Sequence, residues 1–191
     1  MRKLKIDDTI YEANTDFRVA IECDRIANDK TIGDFERVLG IICTMFGPDA
    51  LNNPNHYEKL LKWCIKYLSC GKENYDTKEQ PDMDYIEDEN YIKSSFKYDY
   101  KYNPYDMDYL SWEDFYNDLN NLSNSEFGDC CVLNRVRNLR NMDLSTIKDA
   151  KEREKYKKAK EQVALKKYKK EYNLTKEQIE SMERLNEIIG L

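Results

Sequence analysis

The sequence predicts an all-α fold: a compact multi-helix domain with a long charged helix and a short C-terminal helix. Four observations carry that prediction. Apolar residues recur at helical spacing in one segment after another. The chain has 191 residues with only 6 Gly and 4 Pro. All four prolines and five of the glycines fall outside the apolar-periodic segments, as helix interiors require. Valine occurs five times, too rarely for a protein of many short strands.

Each element follows from local chemistry. Asn14, Thr15 and Asp16 are good N-cap residues, and Phe17, Ala20, Ile21, Cys23, Ile26 and Ala27 then form a stripe that Asn28-Asp29 stops. Thr31 with Asp34 resembles a capping box opening a second helix. Its stripe of Phe35, Val38, Leu39, Ile42, Met45 and Phe46 is broad enough to predict a helix central to the core, closed by Gly47-Pro48. Gly40, inside it, marks a close helix crossing. A third helix carries Tyr57, Leu60, Leu61, Cys64, Ile65 and Leu68 inward and closes at Gly71. After a polar linker, Asp82 or Asp84 starts a fourth helix that buries Ile86, Ile92 and Phe96. A tyrosine-rich connection held open by Pro104 leads to a short helix, with Ser111 as N-cap and Trp112, Phe115, Leu119 and Leu122 as its stripe. Val132, Leu133, Val136 and Leu139 mark the next. DLSTIKD reads as a turn into a basic helix over residues 148–172. Thr175 with Gln178 then caps a last helix with a narrow stripe of Ile179, Met182, Leu185 and Ile188 or Ile189. The division is a helical core domain, residues 1–145, and a charged helical arm, residues 146–191.

Composition narrows the function. Charged residues make up 36% of the chain and the mean hydropathy is -0.89, yet the apolar residues cluster, unlike those of a disordered chain. No run of about 18 apolar residues predicts a membrane span. MRKLKIDDTIYEANTDF lacks the apolar stretch of a secretion signal, so the expected location is a cytosol. The six cysteines are then expected to be free thiols, with Cys23, Cys43 and Cys64 on apolar stripes.

Catalytic and metal patterns are weak. His56 is the lone histidine, and its polar neighbours predict a surface residue. His56, Cys64 and Cys70 have no zinc-site spacing, and the adjacent Cys130 and Cys131 are poorly placed to share a ligand. Asp82 with Asp84, and Asp106 with Asp108, lack the glycine and distal glutamate of a calcium loop. No phosphate-cradling glycine loop or nucleophile elbow occurs. The chain is expected not to be an enzyme and to hold no cofactor or metal.

Charge is unevenly spread. Residues 76–118 hold 13 Asp/Glu against 4 Lys, a net -9, whereas residues 148–172 hold 11 Lys/Arg against 5 Asp/Glu, a net +6. Opposite blocks predict either an internal dock or complementary contacts between copies, giving a homo-oligomer. The basic run could also neutralise phosphates, but its cations surround the helix and glutamates interrupt them, as in the pair Glu154 and Lys158. Nucleic acid is therefore the lesser reading and protein docking the stronger. The candidate contact residues are Lys151, Lys155, Tyr156, Lys158, Val163, Tyr168, Ile179, Met182 and Leu185.

Several blocks are specific beyond composition: YEANTDFRVAI (11–21), DFERVLGIICTMFG (34–47), YLSCGKE (67–73), MDYIEDENYIKSSF (83–96), LSWEDFYNDLNNL (110–122) and MDLSTIKDAKEREKY (142–156). In this order they resemble the bacteriophage gene-product-fifteen family of Gram-positive siphophages and prophages, over about residues 10–165. Residues 173–191 look like an added helix. The family resembles tail assembly chaperones. The resemblance implies a non-enzymatic helical protein of the host cytoplasm that holds the tape measure protein until the tail tube forms around it and is absent from the mature virion. It carries over no site residue. A minor structural tail protein is the other phage role that the resemblance leaves open.

Overall fold

Helical periodicity accounts for most of the backbone, but the chain opens on a β-hairpin, which corrects the all-α expectation. A computed structural model describes residues 2–71, 81–124 and 130–166. Strands β1 (Arg2–Ile6) and β2 (Thr9–Ala13) pair antiparallel in the register Leu4 with Tyr11 and Ile6 with Thr9. The two-residue turn places Asp7 at φ 53°, a left-handed conformation that Asp tolerates better than most residues. Alternation turns Ile6, Tyr11 and Ala13 inward while Lys3, Lys5, Ile10 and Glu12 stay exposed. The predominantly helical remainder packs onto this hairpin.

Seven α-helices follow among the described residues: α1 (Phe17–Ala27), α2 (Asp34–Phe46), α3 (Tyr57–Leu68), α4 (Glu89–Asp99), α5 (Trp112–Asn120), α6 (Val132–Asn141) and α7 (Ala150–Val163). Asp16 caps α1 by accepting from Arg18 N at 2.9 Å, and Ser111 caps α5 by accepting from Asp114 N at 3.1 Å. For α2 the cap differs from Thr31 and Asp34: Gly33 N donates to Glu36 Oε2 at 2.7 Å, while Thr31 bonds Asp29. Gly47 ends α2 at φ 82° and Gly71 follows α3 at φ 77°, both positions that suit glycine.

Two apolar clusters fill the interior. The larger gathers Phe17, Met45, Ile92, Phe96, Trp112, Phe115 and Leu133. Phe115 stacks on Phe17 at 4.4 Å and on Phe96 at 5.5 Å between centroids, tying α1, α4 and α5 together. The smaller cluster joins the hairpin to α2 and α3 through Ile6, Tyr11, Ile42 and Leu60. Gly40 lies where α2 crosses α1: a β-carbon there would stand 3.1 Å from Ile26 Cγ2.

Three further expectations need correction. Phe35 and Ile65 are 67% and 58% exposed, because the buried faces of α2 and α3 run through Ile42 and Met45 and through Leu60, Cys64 and Tyr67. The helix expected from Asp82 or Asp84 begins at Glu89, and Ile86 is exposed. Asp84 Oδ1 accepts from both Ile86 N and Glu87 N at 2.9 Å, so its side chain builds a turn that competes with helix. The basic helix starts at Ala150 and is interrupted after Val163, where Ala164 is extended at ψ 136°; its expected part from residue 167 to 172 lies outside the described residues. The predicted C-terminal helix lies outside the described residues.

His56 is buried, not on the surface. The Tyr11 hydroxyl lies 2.7 Å from Nδ1, and Asp7 Oδ2 lies 3.2 Å from Nε2. One tautomer serves both: Tyr11 donates to Nδ1 and the Nε2–H donates to Asp7. The histidine thereby bolts the hairpin turn to the start of α3.

Candidate interaction site

The block Asn14-Thr15-Asp16-Phe17-Arg18 builds a junction where β2, α1, α2, α3 and α5 meet. Asn14 N donates to Met45 O at 2.8 Å. Phe17 N donates to Leu110 O and Trp112 N to Thr15 O, both at 2.9 Å, so the chain ahead of α1 and the chain ahead of α5 pair as an antiparallel bridge. The Tyr67 hydroxyl of α3 donates to Thr15 O at 3.0 Å. Burial and nearby Glu113 push the Tyr67 phenol well above its ordinary range, which keeps it a donor. Asp16 is buried and caps α1 with one oxygen while its other accepts from Arg18 Nη1 at 3.0 Å. Arg18 continues to Met107 O, and its guanidinium lies 4.9 Å from the Phe17 ring centroid.

Beside this junction lies a shallow groove with a volume of about 510 Å³. Met45, Phe46 and Gly47 at the end of α2 supply its apolar lining, and Glu12, Asn14, Thr44 and Tyr109 its polar lining. Tyr109 is fixed by a 2.7 Å hydrogen bond to Thr15 Oγ1, yet it remains 49% exposed. Met107 is exposed nearby in sequence. The groove offers apolar side-chain contact with hydroxyl and amide groups at its margin, as protein surfaces that receive side chains do.

The basic arm is placed separately. Helix α7 contains no buried residue, and Lys151, Lys155 and Lys158 are exposed on it. Tyr156 and Val163 are half-buried. Tyr168, Ile179, Met182 and Leu185 lie outside the described residues. Thus the structure places three lysines of the predicted contact set on one exposed helix and describes no contact that joins them to the last four.

The residues that hold α7 down were not foreseen. Arg140 of α6 donates through Nε to Val163 O at 2.7 Å, satisfying one of the orphan carbonyls at the end of α7. Its other nitrogens form a two-pronged pair with Asp88 at 2.6 and 2.8 Å. The Asp88 side chain is 1% exposed and that of Arg140 10%. Beside them Arg137 meets Asp82 at 3.1 Å. Lys160 Nζ donates to Met142 O at 2.8 Å, and Lys166 N to Glu87 Oε2 at 2.7 Å. Arg137 and Arg140, one helical turn apart in a segment otherwise read only for its apolar stripe, were the available signal.

Among the described residues no group of three metal-capable side chains converges. Burial pushes the thiols of Cys23 and Cys64 up to about 12, which makes both poor nucleophiles and ligands. No described helix is long and apolar enough to cross a membrane.

Comparison with known proteins finds one family, described as Bacteriophage Gp15 protein, whose sequence model matches residues 1–165. No curated protein and no solved structure matches the chain.

Proposed function

We propose, from the premise that this chain belongs to the Bacteriophage Gp15 protein family, that it is a non-enzymatic tail assembly chaperone that binds the tape measure protein and keeps it soluble while the tail tube assembles. The family match carries the reading, because it spans residues 1–165 and so takes in both apolar clusters and all of α7. The surface supports it. A long helical client presents apolar stripes that need temporary cover, and single exposed apolar residues here sit within a highly charged body. Ile10 is 60%, Phe35 67%, Ile65 58% and Tyr109 49% exposed. Contacts of that kind release more readily than one large apolar interface. Helix α7, held to the body by polar attachments, supplies cations to acidic positions of the client. Its interspersed Glu152, Glu154 and Glu161 repel a phosphate backbone, so protein is the better partner. The site of action is the host cytoplasm, and the mature virion lacks the protein.

Co-expression with the tape measure protein tests this. The expected result is a soluble complex that co-purifies, with the tape measure protein aggregating when expressed alone. Unchanged solubility together with no complex refutes the reading.

A further inference from the structure

Among the described residues, one edge of the hairpin carries no partner. Ile6 and Thr9 close the two-residue turn, so they form the first hydrogen-bonded pair, and Leu4 with Tyr11 and Arg2 with Ala13 form the next. Lys3 and Lys5 fall between these pairs and direct their N–H and C=O groups away from β2. Among the described residues no hydrogen bond reaches those groups, and β1 pairs with β2 alone. The far side of β2 differs: it runs into the end of α2, where Asn14 N donates to Met45 O at 2.8 Å. Lys3 and Lys5 are exposed, so the β1 edge is open to solvent.

Backbone and side chains together define what this edge accepts. Lys3 and Lys5 point to the outer face of the hairpin, with half-buried Leu4 between them on the inner face. Lys3 meets Glu12 at 3.1 Å, but the two side chains are 71% and 52% exposed, which makes the pair weak. Lys5 faces Ile10 across the hairpin and forms no ion pair among the described residues. Arg2 and Asp7, at the two ends, are already held by Glu113 and by His56 with Lys59. We propose that the open edge of β1 is a strand-addition site for an extended segment of a partner protein with acidic side chains at alternate positions. Run antiparallel, that segment sets one acid opposite Lys5 and the next opposite Lys3, and the residue between them, which meets Leu4, is apolar.

Charge selects against a second copy. Two β1 edges paired antiparallel set lysine opposite lysine, which is destabilising, and lysine on an edge is a common guard against such pairing. The chain's own Asp106, Met107 and Asp108 have the order acid, apolar, acid and are exposed. Asp106, however, lies in a tight helical turn where its N–H already donates to Asn103 O at 3.1 Å, so this segment is no strand. A nucleic-acid strand brings negative charge but no alternating N–H and C=O groups for the edge. The inference does not depend on which client the protein holds.

A capped peptide of sequence GVEVEVG, titrated into the full ¹⁵N-labelled chain and followed by NMR, decides it. The expected result is saturable binding that slows exchange of the Lys3 and Lys5 amides and weakens as salt rises. Methylating both glutamate nitrogens of the peptide removes the N–H groups that face β1 and lowers affinity at least about ten-fold, the scale of one or two lost hydrogen bonds. Methylating the valine nitrogen between them, which points away from β1, leaves affinity unchanged. The K3Q/K5Q variant, which alters two exposed side chains, binds roughly five-fold more weakly, the scale of exposed ion pairs. The methylated peptides leave the protein itself unaltered, so they decide the matter even where the variant folds poorly. No binding at millimolar peptide, or equal binding of the glutamate-methylated peptide, overturns the proposal. Concentration-dependent protection of the Lys3 and Lys5 amides without peptide makes the occupant a second copy and overturns it as well.

Discussion

Arg140→Ala breaks four hydrogen bonds at once. Asp88 loses both bonds from its charged partner, Val163 O loses its donor, and Asp82 O loses the bond from Nη1 at 2.8 Å. Asp88 keeps the donor Asp84 N at 3.0 Å. A carboxylate 1% exposed cannot recover that loss from water. Removing one partner of a buried pair costs about 3–5 kcal/mol. For a chain of this size each kcal/mol lowers Tm by about 2–4 °C, so the expected drop is about 6–20 °C. The assay is urea unfolding followed by far-UV circular dichroism, with a lower midpoint and unchanged slope marking a stability effect. R140M/D88N provides the control. The neutral amide that D88N introduces can still accept from Asp84 N, so the double variant should be more stable than R140A. A loss for R140A below about 1 kcal/mol, the range of exposed pairs, refutes the view that this pair anchors the turn, α6 and the arm as one unit.

His56→Phe leaves the Tyr11 hydroxyl without its acceptor and should cost about 1–3 kcal/mol by urea unfolding, with H56F/Y11F recovering part of the loss. Burial raises the Cys23 and Cys64 thiols from the ordinary 9.0 to about 12. Their folded-state pKa lies above the unfolded value, so their stabilising contribution is complete below pH 9.0 and is lost as pH rises towards about 12. Alkaline unfolding should therefore begin in that window. Iodoacetamide at about pH 8, read by mass spectrometry, should modify half-buried Cys43 and Cys70 well before Cys23 and Cys64. Gly40→Val should cost about 1–3 kcal/mol by overpacking, since its β-carbon would already meet Ile26 Cγ2 at 3.1 Å, and Ile26→Ala in the same chain should relieve it.

Helices with strong stripes and good caps were legible: Ser111 with Trp112, Phe115, Leu119 and Leu122 appears as read, and so does Asp16 ahead of Phe17. What failed did so for nameable reasons. The hairpin escaped because Arg2–Ile6 is short and its lysines mask the alternation of Leu4 and Ile6. Its turn is Asp7-Asp8, without the glycine that usually signals a hairpin. Apolar identity overstated burial at Phe35 and Ile65, because a stripe wider than the packed face leaves its margin in solvent. His56 looked exposed because its partners, Tyr11 and Asp7, are 45 and 49 residues away in sequence.

The charge blocks show the same limit at larger scale. Counting by window set an acidic stretch against the lysine-rich helix. In the folded chain Asp82 and Asp88 of that stretch are met by Arg137 and Arg140 of α6, in a segment read only for its apolar residues. Arginine suits these places better than lysine, since its planar fork can satisfy a buried carboxylate and a helix-end carbonyl together. Lysine's hydrated point charge stays outside, where Lys151, Lys155 and Lys158 remain exposed. The chemistry of the cation therefore sorts the two roles that net charge merges. The arginines hold the body together, and the lysines of α7 keep their charge at the surface.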